Sequence, residues 1–236
     1  NRITMNNILN DLSIKFETIS KKAYLVGGAV RDEFLSLPIK EFDYVTDASL
    51  QEIDNIFPNS DFSFSKFGYV KIYYQDNCYD LSLLRKEEYY QSIRHPSKIE
   101  FVSSLEEDSW RRDFTINALY KDRNGKVYDF HNGIIDLNKH VIRMIGNIEQ
   151  RIKEDPLRIL RALRFKIQLN FEIERELDIF IKNNLELITI LSRYQIQHEL
   201  EKMKSLSETR FSEIVKEYHL DEVIVVEDIK RKYMYK

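Results

Sequence analysis

The segment Glu-Asp-Pro-Leu-Arg-Ile-Leu-Arg-Ala-Leu-Arg-Phe at residues 154–165 constrains this chain most, because it sets arginines at helical spacing among apolar residues. Asp155 and Arg158 are three residues apart and would share a helix face, where a carboxyl acceptor and a guanidinium donor match the edge of a nucleobase. Arg161 and Arg164 continue the stripe toward a polyanion. The alternative is an amphipathic helix with a solvated arginine face.

The composition sets the class of protein. A length of 236 residues fits one large domain or two modest ones, and we take two as the working count. Hydrophobic residues make up 43% and charged residues 32% of the chain, with only 6 glycines and 4 prolines, which indicates a helix-rich globular protein. Cys78 is the only cysteine, so the sequence excludes an intramolecular disulfide and a zinc site built on several cysteines.

The sequence shows no membrane or export signal. It has no run of about 18 apolar residues, and its first residues lack the apolar stretch of a signal peptide. We therefore expect no membrane partner and a location in the cytoplasm or in an organelle. The first residue is Asn1 rather than Met, which indicates a processed chain or a piece of a longer one. Nothing in the sequence specifies the oligomeric state.

The charge is unevenly distributed. A net charge of -3 argues against a broadly basic surface that coats nucleic acid. Residues 139–166, however, contain eight basic and three acidic side chains. A phosphate-rich partner fits that region.

The hydrophobic periodicity changes along the chain. Residues 4–19 have helical spacing, and a short apolar run at 23–26 leads through a glycine pair into another helix. Further strands are predicted at 42–46, 69–74, 78–84 and 126–130. After about residue 146 the strand signals stop, and helices are predicted at 156–168, 173–183, 194–203 and 211–217. The pattern predicts a mixed α/β part followed by an all-helical part.

Two groups in the first part have the composition of a phosphate and metal site. Gly27 and Gly28 lie where a strand meets a helix, so their backbone could approach a phosphate closely, although simple turn chemistry explains such a pair equally well. Glu41 and Asp43 alternate along a strand-like segment and would point to one face, where Mg²⁺ offsets their repulsion. Asp80, from a neighbouring strand, could add a third carboxylate. The alternative is a set of solvated acids.

The segment Arg-Arg-Asp-Phe-Thr-Ile-Asn-Ala-Leu at residues 111–119 is denser in polar groups than a turn requires. Arg112 could hold a triphosphate bidentately, and Asp113 could accept a hydrogen bond from a ribose hydroxyl. A structural arginine–aspartate pair is the alternative.

The order of these motifs is more specific than any one of them. Gly-Gly-Ala-Val-Arg-Asp, the carboxylate pair, Arg-Arg-Asp-Phe-Thr-Ile-Asn-Ala-Leu and Glu-Asp-Pro-Leu-Arg-Ile-Leu-Arg-Ala-Leu-Arg-Phe follow one another along the chain. This arrangement closely resembles the class II tRNA nucleotidyltransferase and bacterial poly(A) polymerase family over about residues 24–222. The resemblance implies an α+β fold with a polymerase-β-like nucleotidyltransferase α/β head at residues 1–145. An all-α neck with the start of the body follows at 146–236, and the body and tail domains are largely absent.

The resemblance also implies roles for individual residues. Glu41 and Asp43 would hold Mg²⁺ as the cofactor and, with Asp80, form the catalytic carboxylates. The nucleotide-binding residues would be Gly27, Gly28, Arg31, Arg112, Asp113, Asp155, Arg158, Arg161 and Arg164. In this reading Asp155 and Arg158 pair with the base edge of CTP or ATP, and Arg161 and Arg164 assist in binding the nucleotide.

The activity implied is the template-free addition of CMP, CMP and AMP to the 3′ end of tRNA, with CTP and ATP as substrates. The segment 85–96 matches the family's flexible loop in length, which favours complete CCA addition. Two alternatives stay open. One is a poly(A) polymerase that adds AMP to RNA, and the other is a catalytically weakened tRNA-binding fragment, because Glu41 stands where the family has aspartate and family members continue past residues 220–224.

Overall fold

The structure, a computed structural model, describes residues 2–89 and 93–224. The chain divides into two compact units, and each is described by itself. The first comprises Asn1–Tyr90 and Pro96–Leu137, and the second comprises Gln91–His95 and Asn138–Lys236. Residues 138–145, which the sequence assigned to the head, thus fall in the second unit. No helix within the described ranges has the length and apolar character needed to cross a bilayer.

Helices of the first unit flank its sheet. They are α1 (Arg2–Glu17), α2 (Gly28–Phe34), α3 (Leu50–Ile56), α4 (Leu105–Ser109) and α5 (Gly133–Lys139), the last ending just beyond the unit. Helix α1 forms because its apolar residues recur every three or four positions, which buries Met5, Leu9 and Leu12 along one stripe. Helix α3 begins with a capping box in which Ser49 and Glu52 satisfy each other's backbone N–H groups.

A six-stranded mixed sheet forms the centre of the first unit. Its strands are β1 (Ala23–Val26), β2 (Asp43–Thr46), β3 (Tyr69–Tyr74), β4 (Asn77–Leu83), β7 (Leu119–Lys121) and β8 (Val127–Asp129), while β5 (Arg85–Glu88) and β6 (Lys98–Phe101) form a separate antiparallel hairpin. The order across the sheet is β3-β4-β2-β1-β7-β8. Only β2 and β4 run parallel to each other among these paired strands.

The strand register brings the predicted site segments to one end of the sheet. Val26, the last residue of β1, is opposite Asp43, the first residue of β2. In the parallel pair β2–β4, Tyr44 is opposite Leu81, so the residues that precede them, Asp43 and Asp80, lie side by side. The glycine turn after β1 therefore begins next to Asp43, and Asp80 lies beside Asp43 on the next strand.

An apolar cluster fixes α4 against the sheet. Its buried members come from β1, β2, β7, the end of β4 and α4: Tyr24, Val26, Val45, Leu84, Leu105 and Tyr120. Because α4 leads directly into the Arg-Arg-Asp segment, this packing also places that segment.

The second unit is mainly helical. Its helices are α6 (Ile148–Glu154), α7 (Leu157–Leu169), α8 (Arg175–Asn183), α9 (Arg193–Leu206), α10 (Glu208–Tyr218) and α11 (Leu220–Val223). Helix α7 lies in the interior of this unit, with Ile159, Leu160 and Leu163 fully buried. Two short strands, β9 (Val141–Ile142) and β10 (Glu172–Ile173), pair in parallel.

Most of the predicted elements are confirmed within two residues at their ends. The all-helical prediction for the second part is wrong at β10, because a two-residue strand has too few positions to show an alternating pattern. The predicted loop at 85–96 is partly strand β5, and residues 90–92 of it lie outside the described residues.

Candidate active site

The turn between β1 and α2 requires glycine at one position. Gly27 has φ of 74°, a left-handed conformation that a residue with a Cβ adopts only with strain. Its N–H donates to the carbonyl of Leu119 on β7 at 3.1 Å, which ties the turn to the neighbouring strand. The backbone geometry explains why the chain has glycine at residue 27 without invoking a ligand.

The side chain of Arg31 lies against this turn. A Cβ added at Gly28 would lie 3.4 Å from the Arg31 guanidinium, so the glycine gives that group room. Arg31 is buried, and its Nη1 donates to Oδ1 of Asn117 at 2.6 Å while its Nε donates to Oδ1 of Asp32 at 2.8 Å. The guanidinium is therefore held in a defined position within the first unit.

Asn117 connects Arg31 to the second predicted nucleotide-binding segment. Its Nδ2 donates to Oδ1 of Asp113 at 3.3 Å, and the same oxygen accepts the backbone N–H of Phe114 at 2.7 Å. Asp113 is thus brought close to Gly28 and Arg31, although more than 80 residues separate it from them in the sequence. The sequence analysis quoted Asn117 within its motif but gave it no role.

Two of the three predicted catalytic carboxylates, Asp43 and Asp80, are neighbours on adjacent strands, and Glu41 lies two residues before Asp43. Asp43 begins β2, whereas Glu41 precedes the strand, so the predicted strand alternation does not orient Glu41. All three side chains, those of Glu41, Asp43 and Asp80, are exposed. Oδ1 of Asp80 lies 3.3 Å from the ammonium of Lys71 on β3.

The charge of Asp43 responds to its neighbours. Although its surface is open to solvent, the surrounding protein withdraws the carboxyl from part of the bulk water, and this desolvation raises its pKa. The negative charges of Glu41 and Asp80 raise it further, and the positive charge of Arg112 lowers it. The shift shows that these four groups share one electrostatic environment.

Glu41 and Asp43 have the chemistry of a magnesium site. Mg²⁺ prefers oxygen ligands and is usually held by one or two carboxylates together with waters and substrate phosphates. A divalent cation would also relieve the repulsion felt by Asp43. Within residues 2–89 and 93–224, no three His, Cys, Asp or Glu side chains converge as a metal-holding group. Two carboxylates are sufficient for such a site, because waters and substrate phosphates supply the other oxygen ligands.

Arg112 belongs to a buried polar network centred on Asp108. Its Nη2 lies 3.2 Å from Oδ2 of Asp108, and its Nε donates to the hydroxyl of Tyr120 at 3.0 Å. That hydroxyl donates to Oδ2 of Asp108 at 2.5 Å, while Nε of Arg111 lies 2.9 Å from Oδ1. Arg112 thus forms a structural ion pair with Asp108, in the way that the alternative to phosphate binding predicts for an arginine–aspartate pair.

Asp108 is fully buried and carries a charge. Burial by itself would raise the pKa of its carboxyl, but Arg111, Arg112 and the hydrogen bond from Tyr120 outweigh this effect, so the pKa lies well below its ordinary value. The sequence analysis missed Asp108. The available signal was an acid four residues before an arginine, the spacing of a helical ion pair.

In the second unit, Asp155 does not lie on the arginine helix. It ends α6 in an extended conformation with φ of -147°, because the residue before Pro156 is disfavoured in a helix. The prediction that Asp155 and Arg158 share a helix face is therefore wrong. The Asp155 carboxylate accepts the N–H of Leu157, the first residue of α7, at 3.1 Å and pairs with Nε of Arg94 at 3.0 Å.

The arginines of α7 are not a solvated face. Arg158 is buried, and its Nη1 donates to the carbonyl of Arg151 at 2.5 Å. Arg164 donates from Nε to Glu199 of α9 at 2.7 Å, and its guanidinium lies 4.6 Å from the ring centroid of Phe165. Arg161 lies 5.5 Å from the same centroid. The solvated-stripe alternative is wrong for Arg158 and Arg164, whereas their contact with a nucleotide stays a prediction.

Known proteins are similar to this chain in both sequence and fold. The family model of the poly(A) polymerase head domain matches residues 23–143. The CCA-adding enzyme of Lactobacillus helveticus is 41% identical over 182 residues, which cover 77% of this chain and 46% of that protein. The CCA-adding enzyme of Staphylococcus haemolyticus is 40% identical over 189 residues, or 80% of this chain and 47% of that one.

Solved structures of CCA-adding enzymes and of a tRNA nucleotidyltransferase also resemble this chain. The crystal structure of the Bacillus stearothermophilus CCA-adding enzyme in complex with CTP matches with a TM-score of 0.75 and 33% identity, covering 83% of this chain and 47% of that one. A tRNA nucleotidyltransferase complexed with a primer tRNA and an incoming ATP analog matches with a TM-score of 0.68 and 26% identity, covering 94% and 62%.

The mixed sheet and its flanking helices are those of a nucleotidyltransferase head domain, followed by helices. The chain belongs to the poly(A) polymerase head-domain family. It spans about half the length of the curated relatives it matches. The α+β fold with a nucleotidyltransferase head, predicted from the order of the motifs, is confirmed.

Proposed function

We propose that the chain is a divalent-metal-dependent, template-free nucleotidyltransferase that adds CMP, CMP and AMP to the 3′ end of tRNA. The observation that carries this proposal is the register that puts Asp43 beside Asp80 and next to the glycine turn. Relatives named as CCA-adding enzymes support the choice of reaction. A related structure titled with CTP and one titled with a primer tRNA support the choice of substrates.

In this proposal, the first unit binds the triphosphate. The backbone at Gly27 and Gly28 approaches the phosphates, and Arg31 and Arg112 supply positive charge. Asp113 accepts a hydrogen bond from the ribose. Asn117 holds Arg31 and Asp113 in a fixed relation, so that ribose and phosphate groups are bound in one orientation.

The carboxylates hold the metal ion. Glu41 and Asp43 would ligate Mg²⁺, which supplies positive charge for the triphosphate and lowers the pKa of the attacking hydroxyl. The 3′ hydroxyl oxygen of the RNA then forms a bond to the α-phosphorus, and the bond from that phosphorus to pyrophosphate breaks. The proton of the hydroxyl passes to solvent water in the step. The protein contributes mainly by aligning the two substrates and balancing their charge.

We assign base selection to the second unit. Asp155 offers carboxylate oxygens and Arg158 offers guanidinium donors, the two kinds of group that recognise the edge of cytosine or adenine. Arg161 and Arg164 would assist in binding the nucleotide. The contacts of Asp155 with Leu157 and of Arg158 with the Arg151 carbonyl support this assignment, because a group that reads bases must be held in place.

The nearest rival is a poly(A) polymerase, since both activities use the motifs quoted above and the matching family model is described by that name. A third possibility is an RNA-binding fragment weakened in catalysis by Glu41. An extension assay on tRNA lacking its 3′ CCA, with Mg²⁺ and CTP alone, ATP alone or both, separates the three. We expect CMP incorporation with CTP and a completed CCA end with both. Long tails from ATP alone would select the rival, and binding without incorporation would select the fragment.

A further inference from the structure

The sheet of the first unit has an exposed face beside the carboxylates. On β4, Cys78 and Asp80 point to this face, because Leu81 and its alternate neighbours point inward. On β3, Lys71 is opposite Asp80 and Tyr73 is opposite Cys78. Strand β3 is at the edge of the six-stranded sheet, where the backbone of Lys71 pairs with that of Asp61. On the face itself, Tyr73 and Cys78 are exposed.

Aromatic and basic side chains alternate where the chain enters β3. Phe64 and Tyr69 are stacked, with ring centroids 5.1 Å apart and an interplanar angle of 12°. The ammonium of Lys71 lies 5.6 Å from the Phe64 centroid, and that of Lys66 lies 4.9 Å from the centroid of Phe67. These five residues are called the aromatic–lysine surface below.

The aromatic–lysine surface is anchored to the rest of the unit. Gly68 has φ of 83°, and a Cβ there would come within 2.5 Å of Cδ of Arg85. The close approach lets Nη1 of Arg85 donate to the carbonyl of Gly68 at 3.0 Å. Nε of Arg85 also pairs with Glu87 at 2.8 Å. A surface held in this way keeps Phe67 exposed and Phe64 and Tyr69 partly exposed beside the sheet.

Lys71 connects the surface to the candidate active site. Its ammonium is 3.3 Å from the carboxylate of Asp80, which lies beside Asp43. The aromatic–lysine surface therefore begins where the reacting hydroxyl must arrive if the carboxylates serve nucleotidyl transfer.

We propose that the aromatic–lysine surface binds the single-stranded 3′-terminal segment of the acceptor RNA and guides its hydroxyl toward Asp43 and Asp80. The inference rests on the proposed function, because it takes the carboxylates as the place of reaction. Unpaired bases stack on aromatic rings, and lysines pair with the phosphates between them. Bases in a duplex are already stacked on each other, so the surface selects single strands.

Cys78 provides a direct probe of this face. It is exposed, it is the only cysteine, and it lies two residues from Asp80 on the same side of β4. The probe is a single-stranded RNA of about ten nucleotides, within the range of single-strand site sizes. Cys78 alkylation by a fluorescent maleimide is followed without nucleotide or metal. We expect saturating single strand to slow the alkylation at least about fivefold and a blunt duplex of the same length to leave it unchanged.

Variants assign the effect to particular side chains. Phe67→Ala is expected to weaken binding of the single strand about fivefold or more, the smallest loss typical of one base–aromatic stack. Lys66→Ala should lower the slope of log affinity against log salt by about 0.7. The matched control is Phe34→Ala, because Phe34 is 46% exposed and Phe67 is 45% exposed, and Phe34 lies at the end of α2. It should bind RNA like the unaltered chain.

The outcomes decide the proposal without reference to catalysis. Equal RNA affinity of Phe67→Ala and Phe34→Ala, or an unchanged Cys78 alkylation rate in saturating single strand, overturns it. Alkylation that slows with protein concentration in the absence of RNA would show that a second copy covers the face, which also overturns it. If Phe67→Ala does not fold, the salt dependence of Lys66→Ala decides. If the chain fails the extension assay but single-stranded RNA still slows the alkylation of Cys78, the RNA-binding surface is supported and only the proposed reaction is overturned.

Discussion

Arg31 donates a hydrogen bond of 2.6 Å to the side-chain amide of Asn117, a residue 86 positions later in the chain. Through Asn117 the glycine turn after β1 is connected to Asp113, so two segments that the sequence analysis treated separately form one structure. The position of the arginine therefore depends on an uncharged residue.

The first prediction concerns this connection. Asn117→Ala removes the acceptor of Arg31 and a donor to Asp113 in a buried location, so we expect a loss of about 1 to 3 kcal/mol in the free energy of unfolding. We also expect weaker CTP binding, measured by calorimetry, because the guanidinium loses its contact with Asn117 and is held less firmly. Asn124→Ala is the control, since Asn124 is exposed in a turn. Equal stability and equal CTP affinity of the two variants would contradict this account.

The second prediction concerns pH. Asp43 has a raised pKa in the folded chain, so the folded state binds its proton more tightly than the unfolded state does. The contribution of Asp43 to stability therefore decreases as pH rises from its ordinary pKa through the raised value. Asp43→Asn should then raise the melting temperature at pH 7 and leave it nearly unchanged at pH 3. The same variant should lower nucleotide incorporation at least about a hundredfold, because a metal ligand is lost.

A companion variant checks the cause of the raised pKa. Glu41→Gln removes a negative charge that raises the pKa of Asp43, so that pKa should fall when it is measured by NMR titration of the carboxyl. An unchanged Asp43 pKa in Glu41→Gln would contradict the shared electrostatic environment of these carboxylates.

The third prediction concerns Asp108. Asp108→Ala leaves Arg111 and Arg112 without their buried counter-charge, and such a loss typically costs about 3 to 5 kcal/mol in the free energy of unfolding. Because the Asp108 pKa is lowered on folding, its stabilising contribution is present above the ordinary pKa of an aspartate and is lost as pH falls below it. Denaturant unfolding at pH 7 and at pH 3 measures both effects.

The control for Asp108 lies on the same helix. Glu107 is partly exposed and pairs with Lys86 on the surface, so Glu107→Ala should change stability by less than about 1 kcal/mol. If both variants lose the same stability, the buried network does not hold the Arg-Arg-Asp segment.

The principal strands and helices could be predicted from the sequence, because long periodic segments and glycine turns leave local signals. The fold could be predicted from the order of the motifs. The sequence did not predict the partners of the arginines. Asp108, Glu199 and Asn117 are ordinary polar residues in the sequence, and only the packing of α4, α7 and the 115–117 turn shows what they bind. The error at Asp155 has a local cause, since Pro156 prevents a helix from continuing through it.

The fourth prediction tests base selection. Arg158→Ala should lose preference for CTP over UTP by about 1 to 3 kcal/mol of discrimination, the usual value of a good base contact. Because Arg158 is buried and bonded to the Arg151 carbonyl, some thermal stability should be lost as well. Arg164→Ala is the comparison, since it breaks the ion pair with Glu199 but removes only a proposed supporting cation. Lower stability of Arg158→Ala with normal selectivity would show that Arg158 is structural.

The most direct test of the central claim is incorporation of labelled CMP and AMP onto tRNA lacking its terminal CCA, compared between the unaltered chain and Asp43→Asn in the presence of Mg²⁺. We expect the unaltered chain to add CMP, CMP and AMP in that order, and Asp43→Asn to incorporate at least about a hundredfold less. Failure of the unaltered chain to incorporate either nucleotide, or equal incorporation by both proteins, would contradict it.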